Sequence, residues 1–361
     1  MVTALRIGML APITHPVPPP GYGPWERVTS DLVEELVALG HAVTLFASGG
    51  SRTSADLVVT VPHPLAHHPP PPPGEGPLEP PDARVWEELH IGTMAAAAAA
   101  GRFDVVHSHL HVHALPFAPF LTCPLVSTLH GSAWNRALHP LLAANVEQPY
   151  VSLSAAERRL FPGLNYVATV PNGIRVGDFA TGPGGGALIF VGRLAPEKAP
   201  DLAIDAAEAA GADILLAGLV EERHRDFFED RIRPRLRPGQ VEYLGALSRP
   251  EVAALYATAS GLLMPLRWDE PFGLVVVEAL ASGTPVVAWR RGAMPEIVAD
   301  GVTGFLVDTV AEAAAAIGRL GDIDRVACRA EAEHRFGART MAEGYVAAYR
   351  EVIAGRRRHH P

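Results

Sequence analysis

Along most of the chain, short apolar runs alternate with stretches whose apolar positions recur at helical spacing. Residues 5–10 form the first run, residues 28–39 repeat apolar positions as a helix does and stop at Gly40, and residues 42–47 form the next run. Residues 104–109, 125–129 and 166–170 extend this series. A second series follows the glycine-rich stretch 182–186, with runs at residues 187–191, 213–217, 241–244, 261–264 and 285–288. Strand-length runs separated by helical patterns predict parallel strands joined by crossover helices, so the expected class is α/β, in two similar halves. Glycine flexibility suits a linker, which places the boundary within residues 172–186. Two low-complexity segments fit this frame as plain structure, residues 69–73 as a polyproline II surface loop and residues 95–100 as a piece of helix.

Length and composition narrow the picture. At 361 residues the chain exceeds the usual size of a single core, which supports two domains. A net charge of -9 with both signs present argues against a nucleic-acid partner, which needs a basic face. The one basic run, Arg356, Arg357 and Arg358, reads as a solvated chain end. Cys123 and Cys328 lie far apart and form no metal or redox spacing, as expected of buried thiols in a reducing compartment. The first apolar run is too short for a signal peptide or a membrane span, so a cytoplasmic protein is expected, with no indication of membrane-surface contact.

The densest chemistry lies in residues 270–288, where Glu-Pro-Phe-Gly-Leu-Val-Val-Val-Glu runs into Ala-Leu-Ala-Ser-Gly-Thr-Pro-Val-Val-Ala. A Pro-Phe-Gly turn entering a helix leaves backbone amides free at the helix start, where hydrogen bonding and the helix dipole both favour phosphate. Glu270 falls in the loop before that helix and Glu278 inside it. Carboxylates accept hydrogen bonds from hydroxyls, so two glutamates flanking an anion pocket suit a ribose on one side and a sugar on the other. The plainer alternative makes both of them surface charges on an amphipathic helix. At the start of the second half, Gly192-Arg193-Leu-Ala-Pro-Glu-Lys198 sets two cations in the loop leaving a strand. Open α/β sheets bind ligands beyond the carboxyl ends of their strands, so Arg193 and Lys198 are placed to neutralise a diphosphate, the alternative being solvated loop charge. His107, His109, His111 and His113 alternate, and on a strand they would share a face and could ligate a metal. Ala114, Leu115 and Pro116 instead predict a turn soon after, and no metal is expected.

Taken together, these segments resemble the retaining glycosyltransferases of family 4, over nearly the whole chain. The resemblance rests most on the two glutamates separated by seven residues, joined to Val-Gly-Arg-Leu-Ala-Pro-Glu-Lys at residues 191–198. Residues 40–47, 171–174 and 295–307 add further matches. It implies a GT-B fold of two facing Rossmann-like domains with parallel sheets and an interdomain cleft. Residues 1–175 would be the acceptor domain and residues 176–339 the nucleotide-sugar donor domain, with a helix at residues 340–361 packing back on the first. By the same resemblance Arg193 and Lys198 bind the donor diphosphate, Glu278 the ribose and Glu270 hydroxyls of the donor sugar, with the amides of Phe272, Gly273 and Leu274 near the phosphates. Cations and amides then take a metal's role, so no metal or other cofactor is expected, and the only Asp-x-Asp, at Asp322 and Asp324, lacks a matching context. The resemblance also sets a histidine near the donor sugar at the end of an N-domain strand. His109 matches best and His107 competes, while His130 is a further strand-end candidate for sugar contact.

The first loop departs from the family pattern. Adjacent glycines before Glu-Arg-Val are replaced here by Gly21-Tyr22-Gly23-Pro24-Trp25. Proline has no amide hydrogen, so one phosphate contact is missing at Pro24 and Gly23 is left to serve. Trp25 offers either acceptor surface or plain packing. The implied reaction moves a glycosyl group from a nucleoside diphosphate sugar to an acceptor hydroxyl with retention. A UDP-sugar is the first expectation and GDP-mannose the second; the acceptor stays open. Pro171, Asn172 and Gly173 would form a hinge. An epimerase on the same fold and a non-catalytic sugar-nucleotide-binding protein compete with this reading. An NAD-dependent dehydrogenase expects Gly-x-Gly-x-x-Gly after the first strand, which Gly8-Met-Leu-Ala-Pro does not supply.

Overall fold

A computed structural model describes residues 3–67, 80–131 and 135–359; the expected polyproline loop at residues 69–73 lies outside them. The chain divides into two compact units, one formed by residues 1–173 with 338–361 and the other by residues 174–337.

The first unit is built on a seven-stranded parallel sheet among the described residues, in the order β3-β2-β1-β4-β5-β6-β7. Its strands are β1 (Arg6–Leu10), β2 (Ala42–Ser48), β3 (Asp56–Val61), β4 (Val105–Ser108), β5 (Leu125–Thr128), β6 (Tyr150–Ser152) and β7 (Tyr166–Thr169). Ile7, Met9, Leu45, Val105, Val106 and Val126 are almost wholly buried, as apolar residues are in a parallel sheet covered on both faces. The strand order reverses between β1 and β4, the kind of crevice where doubly wound sheets take ligands.

Helix Pro24–Ala38 starts with proline at its first position, where no amide is needed, and buries Val28, Leu32, Val33 and Leu36 along one stripe. Gly40, at φ 86°, lets the chain turn back into β2. Helix Ala338–His359 returns to this unit and packs on helix Pro24–Ala38 and on β7, burying Met341, Ala342, Tyr345, Ala348 and Tyr349.

The second unit repeats the plan with six parallel strands in the order β10-β9-β8-β11-β12-β13. These are β8 (Leu188–Val191), β9 (Ile214–Ala217), β10 (Val241–Tyr243), β11 (Leu262–Met264), β12 (Val286–Trp289) and β13 (Gly304–Val307), with the reversal between β8 and β11. The glycine stretch expected to be a flexible linker lies inside this unit instead. Gly184 and Gly186 donate their amides to Ala257 and Thr258, and a Cβ on Gly182 would stand 2.2 Å from the Ala257 carbonyl oxygen. Close backbone approach, which only glycine allows, explains the composition better than flexibility does. Cys123 and Cys328 are free and buried. Among the described residues no helix is long and apolar enough to cross a membrane.

Candidate active site

In the second unit the chain leaves β8 through Gly192, whose carbonyl oxygen would meet a Cβ on Gly218 at only 1.8 Å. That approach keeps the loop against the end of β9. Arg193 follows and is ion-paired to Glu221 at 2.8 Å and to Glu197 at 3.0 Å. Lys198 pairs with Glu270, both mostly buried, and its ammonium lies 5.0 Å from the centre of the Trp268 ring. Asp201, buried at the start of helix Pro200–Ala210, binds Arg267 through two bonds of 2.7 and 2.8 Å, so the segment leading to Glu270 is tied to the helix that follows Lys198. Gly292 closes the other side, where a Cβ would stand 2.3 Å from both the nitrogen and the oxygen of Glu270.

Gly273, at φ 122°, begins helix Leu274–Ala281, and its missing Cβ leaves room for the end of the Met294 side chain. Phe272 is buried edge-on to Phe336 at 5.9 Å, which fixes the turn; the amides of Gly273 and Leu274 stand at the start of the helix. Glu278 lies one turn further on. The Tyr256 hydroxyl donates to its Oε2 at 3.2 Å and the Arg249 guanidinium to its Oε1 at 3.4 Å, while Arg249 also pairs with Asp178 and lies 4.8 Å from the centre of the Phe179 ring. Glu221, Arg249 and Tyr256 were not read from the sequence, since none belongs to a local motif. Asp324 of the Asp-x-Asp pair caps helix Arg325–Phe336 by accepting from the Val326 amide, an ordinary N-cap.

In the first unit, β4 delivers His107 and His109 to the reversal beside β1, where the His109 amide donates to the Leu10 carbonyl at 2.9 Å. The four histidines do not share one strand face. β4 ends at Ser108, the chain turns through His111 at φ 54°, and His113 sits partly exposed beside Glu87 at 3.0 Å. That carboxylate raises the His113 pKa.

The other histidines of this stretch, and His130, bond to neutral groups. His107 is held through Nε2 by Thr128 Oγ1 at 2.8 Å and through Nδ1 by the Tyr349 hydroxyl at 2.7 Å, and Thr128 is bonded in turn to the Tyr345 hydroxyl at 2.9 Å. His109 Nδ1 meets His130 Nε2 at 2.8 Å, and the rings of His107 and His109 lie 4.2 Å apart. His111 donates from Nδ1 to the Leu129 carbonyl at 2.5 Å and meets Trp25 edge-on at 4.4 Å. Burial pushes the pKa of His107 down to about 3 and that of His111 to about 4, and holds His109 and His130 well below their ordinary value.

Two buried glutamates fix the surrounding loops. Glu157 accepts from the Gly131 amide at 2.5 Å and the Leu153 amide at 2.7 Å, joining the loops after β5 and β6. Glu26 accepts from the His15 amide at 3.1 Å, and burial raises the pKa of both carboxyls, that of Glu157 to about 7. Gly23 caps helix Pro24–Ala38 at φ 151°, where a Cβ would stand 2.9 Å from Pro19.

Two sheets of matching doubly wound order, one with cations and carboxylates beyond its strand ends, make two Rossmann-like units of the kind that take ligands at those ends. Residues 25–175 match Glycosyltransferase Family 4, and residues 182–337 match Glycosyl transferases group 1. D-inositol 3-phosphate glycosyltransferase of Mycolicibacterium smegmatis is 30% identical, over 99% of this chain and 94% of that protein. Glycogen synthase of Mycobacterium tuberculosis is 32% identical over 72% of each chain. Among solved GT-B structures, AviGT4, a glycosyltransferase involved in Avilamycin A biosynthesis, matches with TM-score 0.72 and 23% identity, over 97% of this chain and 98% of its own. Anabaena HepE in complex with UDP and glucose matches with TM-score 0.71 and 20% identity, over 96% of this chain and 100% of its own. The chain therefore belongs to glycosyltransferase family 4, a retaining family that uses nucleotide-sugar donors.

Proposed function

We propose that this glycosyltransferase takes a UDP-sugar and transfers its glycosyl group to an acceptor hydroxyl with retention. The bond from the anomeric carbon to the diphosphate breaks, a bond to the acceptor oxygen forms on the same face, and the acceptor proton passes to the departing phosphate. Arg193 and Lys198, with the amides of Phe272, Gly273 and Leu274, neutralise the diphosphate as charge grows on it. Glu278 accepts from the ribose hydroxyls and Glu270 from hydroxyls of the sugar, and His109 takes a further sugar hydroxyl. No metal or other cofactor enters this scheme. Residues 174–337 thus serve as the donor unit and residues 1–173 as the acceptor unit, where Trp25 offers aromatic surface to the acceptor.

The observation that carries this reading is the setting of Glu278, whose carboxylate accepts from Tyr256 and Arg249, with the Lys198–Glu270 pair in the same unit. UDP is preferred because the similar HepE structure contains it; GDP-mannose ranks second. Calorimetric titration with UDP, GDP and ADP and their sugar conjugates tests the assignment, with Glu278→Ala as control. Selective binding of UDP compounds, weakened about 10- to 100-fold in the variant, is the expected result for loss of hydrogen bonds to a charged group. Absence of nucleotide binding, or binding unchanged in the variant, defeats it. D-inositol 3-phosphate and glycogen, the compounds in the relatives' names, head the acceptor screen.

A further inference from the structure

His109 is 0% and His130 is 6% exposed, and His109 Nδ1 faces His130 Nε2 at 2.8 Å. Their opposite nitrogens, His109 Nε2 and His130 Nδ1, are buried and have no hydrogen-bond partner among the described residues. Buried polar atoms are nearly always satisfied, so two such nitrogens on one bonded pair call for partners beyond the described residues, which a bound hydroxyl can supply. The described neighbours do not supply them. Both nitrogens of His107 are taken by Thr128 and Tyr349, His111 Nδ1 is taken by the Leu129 carbonyl, and Glu157 is taken by the amides of Gly131 and Leu153.

A neutral imidazole carries one N–H and one lone pair. Burial keeps both rings neutral at pH 7, so two protons are shared among four nitrogens. One of them must lie in the 2.8 Å contact, because two lone pairs or two N–H groups facing at that distance repel. If His109 Nδ1 donates, His130 carries its own proton on Nδ1 and His109 Nε2 is a bare acceptor. If His130 Nε2 donates, His109 carries its own proton on Nε2 and His130 Nδ1 is bare. In either state both rings have the same tautomer, and the two outer nitrogens have opposite character.

We propose that His130 is a positioning residue that decides, through this shared proton, whether His109 Nε2 gives or accepts a hydrogen bond to a hydroxyl of the transferred sugar. This rests on the sugar contact proposed for His109. Passing from one state to the other takes one proton in at an outer nitrogen, one across the contact and one out at the far nitrogen, with no net charge left behind. His130 sits at φ 48°, a left-handed conformation costly for a residue with a side chain, and the next amide is fixed by Glu157. The ring is therefore held in place.

The test is nitrogen-15 NMR of imidazole-labelled full-length protein at neutral pH without ligand, with His109→Phe and His130→Phe used for assignment. The expected result is the same tautomer on both rings in the wild type and a changed tautomer distribution on His109 in His130→Phe. Opposite tautomers, an imidazolium at either position, or a His109 signal indifferent to His130→Phe would overturn the proposal. Since the variants can fail to fold, the second arm uses wild-type protein alone, titrated with UDP-glucose while calorimetry records binding. Both rings should respond together; a response confined to His109 overturns the positioning role. Failure of any nucleotide sugar to bind counts against the proposed function instead, and the ligand-free tautomers still decide the pairing.

Discussion

The two strand-end clusters do opposite things with charge. In residues 174–337 the cluster is ionic: Arg193, Lys198 and Arg249 are each matched to carboxylates that remain partly open to solvent. In residues 1–173 it is neutral and dry: His107, His109, His111 and His130 bond to hydroxyls, a carbonyl and one another, and burial holds every one of them uncharged at pH 7. A matching strand order thus supports two kinds of site. The ionic one is suited to polyanions, whose charge can take over from the carboxylates. The neutral one is suited to hydroxyls, which a buried imidazole recognises without the cost of burying charge.

The largest effect expected from breaking this contrast is at Lys198. Lys198→Ala removes a cation from the proposed diphosphate site and leaves Glu270 unpaired, and kcat/KM should fall about 100- to 1000-fold, the size seen when a donor to a developing anion is lost. Steady-state kinetics with the donor found by calorimetry checks it, and an effect below about tenfold would mean that the ionic cluster is structural.

Next in size is the response of Glu157 to pH. Its folded pKa, raised by burial to about 7, lies above the ordinary 4.5. Below 4.5 the folded and unfolded chains both hold the proton; between there and about 7 only the folded chain does, so stability falls across that window and is level above it. Glu157→Gln cannot ionise, so it should gain on the wild type by up to about 3 kcal/mol between about pH 5 and pH 8 in denaturant melts. A difference constant with pH would contradict a dry first unit.

Tyr349→Phe should cost about 1–3 kcal/mol of stability, since it strands His107 Nδ1 inside the core. Nucleotide affinity should stay unchanged, and thermal melts with calorimetry read the two quantities separately. The smallest effect sharpens the ionic side: Tyr256→Phe removes one bond to Glu278 and should weaken UDP binding about fivefold, a loss of about 1 kcal/mol. No change there would mean that the Tyr256 bond does not orient that carboxylate for the ribose.

Legibility in the sequence followed the same division. Arg193, Lys198, Glu270 and Glu278 stand in short segments where a strand end or helix start is visible from a few residues, so their positions could be read directly. Their partners could not. Glu221, Arg249 and Tyr256 reach the cluster only after the sheet has formed. The histidines were visible as residues but their environment was not, because Tyr349 lies 242 residues from His107 and Tyr345 lies 217 from Thr128. Strand β6 is three residues long, too short to show a period, and β3 is an edge strand that buries few of its side chains. The glycine stretch is ambiguous in sequence for a related reason: flexibility and close packing demand the same residue, and the Ala257 carbonyl tells them apart.

Helix Ala338–His359 has a consequence for biosynthesis. The first unit draws on residues made before and after the whole of the second, whose own ends meet where the Ile174 amide donates to the Phe336 carbonyl at 2.9 Å. On the ribosome the second unit has all of its residues first, while His107 and Thr128, whose strands are made earlier, still wait for the hydroxyls of Tyr349 and Tyr345. The nascent protein therefore matures in the reverse of its coding order, and its opening segment is the last to become a finished fold.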